Sequence, residues 1–375
     1  MIYTRPAAFT PRSAAAPQAE PGDFRVDLQE RDRGGPAQPM LIVSGLKKHF
    51  DIGGRSIGGQ RTVVRAVDGV DFTVRKGETL GIVGESGCGK STTARLLMHL
   101  IQPDAGSIIF DGDEVNAVRG MSISELRRNM QMVFQDSYAS LNPRLTIRES
   151  VAYGPRVTGL SAAQARARSE SLLEMVGLEP SNFANRYPHE LSGGQRQRVN
   201  IARALAMAPR VLILDESVSA LDKSVEAQVL NLLRRLKAEL GLTYIFISHD
   251  LNVVHYISDR VLVMYLGQVV ESGPVDAIYA APRHPYTRAL LSSRPSMDPR
   301  RRIETAPLSG DPPNPINPPS GCRFRTRCPQ ARPQCGQEPP ALAPAPGSDS
   351  HVVACHFPLS SSATVPSPPA KGALQ

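Results

Sequence analysis

Hydrophobic and polar positions follow two different periods along the chain, and the changes between them predict its secondary structure. Short apolar runs between turn residues predict buried strands, whereas apolar residues three or four positions apart predict helices with one buried face. The predicted strands are Val63–Val74 (around a turn), Thr79–Val83, Ser107–Phe110, Met130–Phe134, Val211–Leu214, Thr243–Ile247 and Val261–Leu266. The predicted helices are Lys90–Gln102, Ser161–Leu178, Gln195–Ala208 and Lys223–Leu240. Strands that alternate with helices predict an α/β core with a largely parallel sheet.

Interruptions in this periodicity predict the domain organisation. Between Gln135 and Gln195 the pattern contains helices and loops only, which predicts a helical subdomain inserted into the core. The predicted units are a disordered tail (1–39), a main domain (40–281, helical subdomain about 136–200), a small Pro/Cys-rich extension (282–358) and a second disordered tail (359–375). No apolar run approaches the roughly 18 residues of a membrane-spanning helix. The first residues have no apolar core of a secretory signal, so we do not expect one.

Composition changes this picture mainly at the C-terminal end. The chain has 375 residues and a formal net charge of +8. Residues 282–375 hold 20 of the 33 prolines and 11 basic against 5 acidic residues, whereas residues 40–281 are nearly neutral, with 27 basic and 25 acidic. A basic chain raises the question of nucleic acid or anionic lipid as a partner. Because the excess lies in a proline-rich extension, it is weak evidence for a nucleic-acid surface.

A glycine-rich phosphate-binding pattern follows the predicted strand Thr79–Val83. Residues 84–91, GESGCGKS, match GxxxxGK[ST] and open a predicted helix. In such a loop the backbone N–H groups and the helix N-terminus bind phosphates, the lysine neutralises β/γ oxygens and the serine binds Mg²⁺. A simple glycine turn is the alternative, but the strand–loop–helix context favours nucleotide binding. The residues expected to bind the phosphates are Gly84, Ser86, Gly87, Gly89, Lys90, Ser91 and Thr92.

Polar residues at the ends of other predicted strands supply the second half of this site. Asp215 and Glu216 end the run that begins at Val211, and Gln135 and His249 follow strands as well. Ligands bind at the carboxyl ends of strands in open α/β sheets. Asp215 can hold Mg²⁺ and its water shell, and Glu216 can take a proton from an attacking water. Each residue alone is usually structural, but after a phosphate loop the set predicts a nucleoside triphosphatase.

The segment Leu191-Ser192-Gly193-Gly194-Gln195 stands directly before a predicted helix. A serine and glycines at the positive end of a helix can receive a γ-phosphate. One chain would then own two anion-binding helix ends, which makes sense if the second serves the nucleotide of a partner. An ordinary helix cap is the alternative, and for this segment alone it is the favoured one.

Taken together, these motifs resemble those of the ATP-binding-cassette (ABC) ATPases. The order is GESGCGKS, Gln135, LSGGQ, LILDE, SALD (219–222) and Ser248-His249, within residues 84–250. The resemblance implies a P-loop NTPase fold with a RecA-like core, an antiparallel β subdomain and a helical subdomain. It also implies a head-to-tail dimer, in which ATP is sandwiched between the P-loop of one subunit and LSGGQ of the other.

The resemblance also implies a role for each matching residue. Glu216, His249 and Gln135 would be catalytic, Ser91, Gln135 and Asp215 would bind Mg²⁺, and Asp222 would cross the dimer as the D-loop residue. Ser192, Gly193, Gly194 and Gln195 would contact the partner's ATP. Phe50 lies where the family places an aromatic that stacks on adenine, and a core aromatic is the alternative. The sequence departs from the family at Ser217, where proline is usual, so we expect an active but less rigid site.

Motifs outside the ATP site indicate a subfamily. Tyr138–Arg144 (YASLNPR), Arg283–Thr287 (RHPYT) and Asn317–Cys322 (NPPSGC) resemble the ATPase subunits of bacterial dipeptide/oligopeptide importers. This implies an ATP-driven importer on the cytoplasmic face of the cell membrane. The implied partners are a second homologous ATPase, as a heterodimer, two transmembrane permease subunits and an extracytoplasmic substrate-binding protein. The alternative function is a soluble ABC ATPase that acts on nucleic acid or ribosomes.

Four cysteines lie within 34 residues of the extension: Cys322, Cys328, Cys335 and Cys355. A small proline-rich segment needs a crosslink, and cytoplasmic disulfides are disfavoured. Thiolates can instead bind Zn²⁺ or an iron–sulfur cluster. The resemblance implies a [4Fe–4S] cluster, with Zn²⁺ or unpaired thiols as alternatives. Arg323, Arg325 and Arg327 would offset the thiolate charge or lie on a solvated loop.

Overall fold

The computed structural model describes residues 34–35, 37–52, 62–293 and 314–360. The predicted disordered tails, 1–39 and 359–375, lie almost wholly outside these ranges. The strands are β1 (Pro39–Asp51), β2 (Val63–Arg75), β3 (Thr79–Val83), β4 (Ala105–Phe110), β5 (Asp113–Glu114), β6 (Met130–Val133), β7 (Val211–Asp215), β8 (Thr243–Ile247), β9 (Arg260–Tyr265), β10 (Gln268–Pro274), β11 (Ala343–Pro344) and β12 (Val352–Val353).

The helices surround these strands in chain order. They are α1 (Lys90–Leu97), α2 (Ile123–Asn129), α3 (Ile147–Val157), α4 (Ala162–Met175), α5 (Pro180–Phe183), α6 (Gly193–Leu205), α7 (Lys223–Leu240), α8 (Leu251–Ile257), α9 (Val275–Ala280), α10 (Pro285–Ser292) and α11 (Gln334–Gln337), with a 3₁₀ turn at Pro188–Glu190. No helix in the described ranges is both long and apolar enough to cross a bilayer.

The strands form two sheets. The larger has the order β11-β12-β10-β9-β3-β8-β7-β6, and its strands from β9 to β6 are parallel. The smaller is antiparallel, with the order β2-β1-β4-β5. Together with the helices α3 to α6, they give the predicted parallel core, antiparallel β subdomain and helical subdomain.

The core lies on both faces of the larger sheet. Leu212 and Leu214 of β7 pack into one hydrophobic cluster, whereas Val211 and Ile213 pack into another. The alternation arises because successive residues of a strand face opposite sides of the sheet. Strands β3, β7 and β8 are buried along their whole length, so the residues that follow them are positioned by a rigid scaffold.

Several elements differ from the sequence prediction in where they begin or end, or in whether they are continuous. The helix predicted over Lys90–Gln102 ends at Leu97, because His99 adopts a left-handed backbone conformation with φ of 48°. Strand β2 is continuous and lacks the predicted turn. Its pairing with β1 shifts register at several points, which interrupts the regular alternation of buried and exposed residues along it. Helix α6 begins at Gly193, two residues earlier than predicted, because Ser192 caps it.

The C-terminal extension is joined to the main sheet. Strand β12 pairs with β10, which places Val353 opposite Glu271. Glu271 is fully buried, and its carboxylate accepts hydrogen bonds from the backbone N–H groups of Arg283 (2.6 Å) and His284 (3.1 Å). His351 Nε2 lies 2.6 Å from the same carboxylate. These contacts satisfy a buried charge, and they fasten the extension to the core.

Candidate nucleotide-binding site

The loop between β3 and α1 has a backbone that requires glycine. Gly84 has φ of 153° and Gly89 has φ of 108°. A Cβ atom on Gly84 would lie 2.2 Å from the carbonyl oxygen of Met264, and one on Gly89 would lie 2.3 Å from that of Ala66. Because Gly89 has no side chain to cap α1, the first N–H groups of this helix are left for a ligand. Ser86 and Gly87 are exposed at the tip of the loop.

Lys90, Ser91 and Asp215 meet below this loop. Lys90 is buried, and its Nζ donates to the carbonyl oxygens of Gly84 (2.8 Å) and Glu85 (3.0 Å). Ser91 Oγ donates to Asp215 Oδ1 at 3.0 Å. Burial raises the pKa of Asp215, although the hydrogen bond from Ser91 lowers it in part. A hydroxyl and a buried carboxylate side by side are oxygen donors that fit Mg²⁺.

The three predicted catalytic residues converge at the carboxyl ends of neighbouring strands. Gln135 follows β6, Glu216 follows β7 and His249 follows β8. Gln135 Nε2 donates to Glu216 Oε2 at 2.9 Å, and His249 Nδ1 lies 3.5 Å from Glu216 Oε1. Glu216 has φ of 47°, a left-handed conformation that is uncommon outside glycine. The N–H and the hydroxyl of Ser219 approach the Glu216 carbonyl oxygen, so the turn is held from within.

The other predicted site residues are Phe50, Thr92, Asp222 and the segment that begins at Ser192. Phe50 is 37% exposed in β1, which argues against the core alternative, and Lys48 Nζ lies 5.6 Å from its ring centroid. Ser192 caps α6 in a reciprocal capping box with Gln195. Asp222 stands directly before α7. Thr92 is half-buried in α1, and Gly193 is exposed. Ser192 thus caps α6. The role of Ser192–Gln195 at a partner's nucleotide stays a prediction.

The four late cysteines line one small cavity of about 10 Å³. Burial raises the pKa values of Cys322, Cys328 and Cys355, the last to about 11, and the neighbouring thiols contribute in the same direction. In the described part of the chain, however, no group of three or more His, Cys, Asp or Glu residues is arranged to hold a metal ion. The structure therefore does not confirm the predicted four-cysteine metal site.

The sequence did not predict two ion pairs that join the C-terminal extension to the main domain. Arg327 of the extension forms a two-pronged ion pair with Glu85 in the P-loop, and Arg323 pairs with Asp68 of β2. The expectation that both arginines offset thiolate charge or lie in solvent was wrong, because carboxylates of the core hold them instead. Arg325 does bind within the extension, at the carbonyl oxygen of Ser320. The only sequence signal for these pairs was the alternation of arginines beside two cysteines.

Comparisons with known proteins agree with this geometry. Residues 67–219 match the family model described as ABC transporter, and residues 270–335 match the one described as the C-terminal region of oligopeptide/dipeptide transporters. The chain is 51% identical to YkfD of Bacillus subtilis, a putative oligopeptide transport ATP-binding protein, over 85% of this chain and 95% of the relative. It is 50% identical to the oligopeptide transport ATP-binding protein OppF of Salmonella typhimurium, over 84% and 95%.

Solved structures confirm the fold. A dimeric, post-hydrolysis structure of the ATP-binding cassette MJ0796 bound to ADP and Pi is similar with a TM-score of 0.55 and 31% identity, over 63% of this chain and 99% of that one. A structure of cbiO1 from Clostridium perfringens, part of the ABC transporter complex cbiONQ, has the same TM-score at 30% identity, over 64% and 90%. These findings support the transporter interpretation and not the nucleic-acid alternative. The chain therefore belongs to the ABC ATPases, in the family of oligopeptide transport ATP-binding proteins.

Proposed function

We propose that this chain hydrolyses ATP to power the import of dipeptides or oligopeptides through a membrane permease. The observation that carries the proposal is the convergence of Gln135, Glu216 and His249 at one edge of the sheet, next to the Ser91–Asp215 pair. Gln135 and His249 orient Glu216 as a general base. Ser91 and Asp215 offer oxygen ligands for Mg²⁺ beside the phosphate loop. The relatives' printed names supply the transported substrate class.

In this proposal the phosphates of ATP take over the hydrogen bonds of Lys90. Its Nζ now donates to two loop carbonyls, and phosphate oxygens replace those acceptors when nucleotide binds. Mg²⁺ held by Ser91, Asp215 and Gln135 would offset the charge on the β- and γ-phosphate oxygens. The oxygen of the attacking water bonds to the γ-phosphorus while Glu216 takes a proton from this water, and the bond between the γ-phosphorus and the bridging oxygen breaks, which releases ADP and phosphate.

The substitution Glu216→Gln tests this assignment. The amide keeps the shape of the side chain but is not a base, so we expect kcat to fall by about 10²- to 10⁴-fold, while the MgATP dissociation constant stays within about threefold. Phosphate release by the assembled transporter and calorimetric titration of the chain measure the two quantities. Glu239→Gln, at a half-exposed carboxylate on α7, is the matched control. Normal turnover of Glu216→Gln would refute the role of Glu216.

We further propose that Ser192, Gly193, Gly194 and Gln195 complete the nucleotide site of a second, homologous ATPase, and that Asp222 crosses the same interface. In support, Ser192 and Gly193 are exposed at the N-terminus of α6, a helix of 13 residues. The dimeric cassette MJ0796 provides a precedent for pairing. Ser192→Arg should leave nucleotide binding to the isolated chain unchanged and abolish ATP-dependent pairing in gel filtration.

The proposed place of action is the cytoplasmic face of the cell membrane, against two permease subunits that accept peptide from an extracytoplasmic binding protein. In support, large apolar side chains are exposed next to Gln135 and on α3: Phe134 (39%), Tyr138 (51%) and Tyr153 (63%). Pull-down of the tagged chain should recover a permease and a second ATPase. Recovery of ribosomes or DNA in their place would favour the alternative function.

Finally, we propose that the four cysteines hold a [4Fe–4S] cluster, with Zn²⁺ as the alternative. In support, all four line one cavity, and each thiolate of such a cluster binds a different iron, so the thiols need not converge on one point. Protein purified without oxygen should be brown, with absorbance near ~400 nm, iron and labile sulfide. Cys355→Ser should lose these signals. A colourless protein that contains zinc, or no metal, would refute the cluster.

A further inference from the structure

Arg327 reaches from the extension to the phosphate loop. Its Nη1 and Nη2 lie 2.7 Å and 3.0 Å from the two carboxylate oxygens of Glu85, 242 positions earlier in the chain. The Arg327 side chain is only 5% exposed, and that of Glu85 is 21% exposed. A two-pronged arginine–carboxylate pair fixes both distance and orientation. The loop that would receive the triphosphate is therefore held by a residue outside the ATPase motifs.

Arg323, four positions earlier, reaches β2 of the smaller sheet. It is buried, and it donates to the carboxylate of Asp68 and to the carbonyl oxygen of Leu266. The second carboxylate oxygen of Asp68 lies 2.9 Å from Nε2 of His49. His49 is the neighbour of Phe50, the exposed aromatic proposed to stack on adenine. Through Asp68 and His49, Arg323 is thus connected to the strand that carries Phe50.

The segment between these arginines is anchored in the core. Phe324 is 1% exposed, and its ring centroid lies 5.4 Å from those of Tyr265 and of Tyr286. The Tyr286 hydroxyl accepts a hydrogen bond from the backbone N–H of Glu85 at 2.9 Å. The P-loop residue Glu85 is therefore held twice from the extension, once through its side chain and once through its backbone. Because Phe324 is anchored in the core, the positions of Arg323 and Arg327 on either side of it are restricted.

We infer that Arg323 and Arg327 are positioning residues for nucleotide binding: segment 322–328 clamps the base end of the site through Asp68 and His49, and the phosphate end through Glu85. The inference rests on the proposed nucleotide site. Its physical reason at the phosphate end is electrostatic. An unpaired carboxylate in the P-loop would repel a triphosphate. The guanidinium of Arg327 neutralises Glu85 and fixes the position of its carboxylate.

Calorimetric titration of the full chain with MgATP tests the clamp. Arg327→Ala should raise the dissociation constant about tenfold, as expected for the loss of a charge-assisted pair. Arg327→Lys should recover part of this loss. Arg325→Ala is the matched control, since the Arg325 side chain hydrogen-bonds to Ser320 within the extension and to no carboxylate in the described part of the main domain; the dissociation constant of this variant should stay within about twofold of wild type. Adding Glu85→Gln to Arg327→Ala should restore most of the affinity, because the repelling carboxylate is then gone.

A second ligand, inorganic triphosphate, distinguishes effects at the phosphate end of the site from effects at the base end. Inorganic triphosphate with Mg²⁺ carries the phosphates without the base, so Arg327→Ala should weaken it as it weakens MgATP. Arg323→Ala should weaken MgATP alone. Arg327→Gln serves the same comparison if the alanine variant does not fold. Wild-type affinity in the Arg327 variants, equal losses in Arg325→Ala, or no rescue by Glu85→Gln would overturn the clamp. Failure of the wild-type chain to bind MgATP would instead refute the nucleotide site itself.

Discussion

His284 makes the stability of the extension depend on pH. The side chain is fully buried, and its Nδ1 accepts a hydrogen bond from the backbone N–H of Tyr286 at 3.0 Å, which caps α10. That bond requires an unprotonated Nδ1. Burial lowers the pKa of His284 to about 4, although the charge of Glu271 acts in the opposite direction. We therefore expect His284 to be neutral in the folded protein at neutral pH.

The size of the effect follows from the two pKa values. In the unfolded chain a histidine has its ordinary pKa of about 6.5, so between about pH 6.5 and 4 the unfolded state binds more protons than the folded one. The contribution of neutral His284 is thus complete above about pH 6.5 and is lost as the pH falls toward about 4. For a pKa of about 4, the loss at about pH 4.5 is roughly 2 to 3 kcal/mol of the free energy of unfolding.

Urea denaturation of the full chain at about pH 7 and about pH 4.5 measures this loss. His284→Asn keeps an oxygen that can cap α10 but does not titrate. Between the two pH values, the free energy of unfolding should fall by roughly 2 to 3 kcal/mol less in His284→Asn than in the wild type. All other titrating groups are common to both proteins, so the contributions of those that do not interact with His284 cancel; Glu271, whose charge acts on His284, is the exception. An equal fall in both proteins would refute the buried, neutral state of His284.

Three further substitutions test the packing around the site. Gly84→Ala should abolish MgATP binding in calorimetry, because the new Cβ would meet the carbonyl oxygen of Met264; binding at wild-type affinity would contradict the loop geometry. Ser217 is buried and its hydroxyl has no hydrogen-bond partner among the described residues, so Ser217→Ala should change the free energy of unfolding by no more than about 1 kcal/mol, toward higher stability. Phe324→Ala should lower it by about 3–5 kcal/mol in urea denaturation, whereas a loss below about 1 kcal/mol would argue against its place in the core.

Local sequence patterns predicted most of the fold and the centre of the site. The P-loop, the strand that ends at Asp215 and the cap at Ser192 each lie within a few residues, where spacing and backbone preference act directly. Helix ends were less predictable: the apolar spacing continued past Leu97, but the backbone turned at His99. The convergence of Gln135, Glu216 and His249 was predictable because the carboxyl ends of parallel strands meet at one edge of the sheet.

Contacts between distant segments were not predictable in the same way. The pair of Arg327 with Glu85 joins residues 242 positions apart, and the pair of Arg323 with Asp68 joins residues 255 apart. A surface arginine and a buried, paired one have the same sequence signature, since both stand among polar residues. In the folded chain, the packing of Phe324 against Tyr265 and Tyr286 helps to place the arginines on either side of it.

The extension shares a sheet with the main domain, and two of its basic residues form ion pairs with that domain. A segment that is basic and rich in proline has the composition of an appendage, yet two of its arginines neutralise carboxylates of the ATPase core. Truncation after residue 281 would remove the donors to Glu271 (Arg283, His284 and His351) and the arginines that pair with Asp68 and Glu85. Uncompensated buried charge is strongly destabilising. We therefore expect the truncated chain to lose stability and nucleotide affinity together, whereas an independent appendage would change neither.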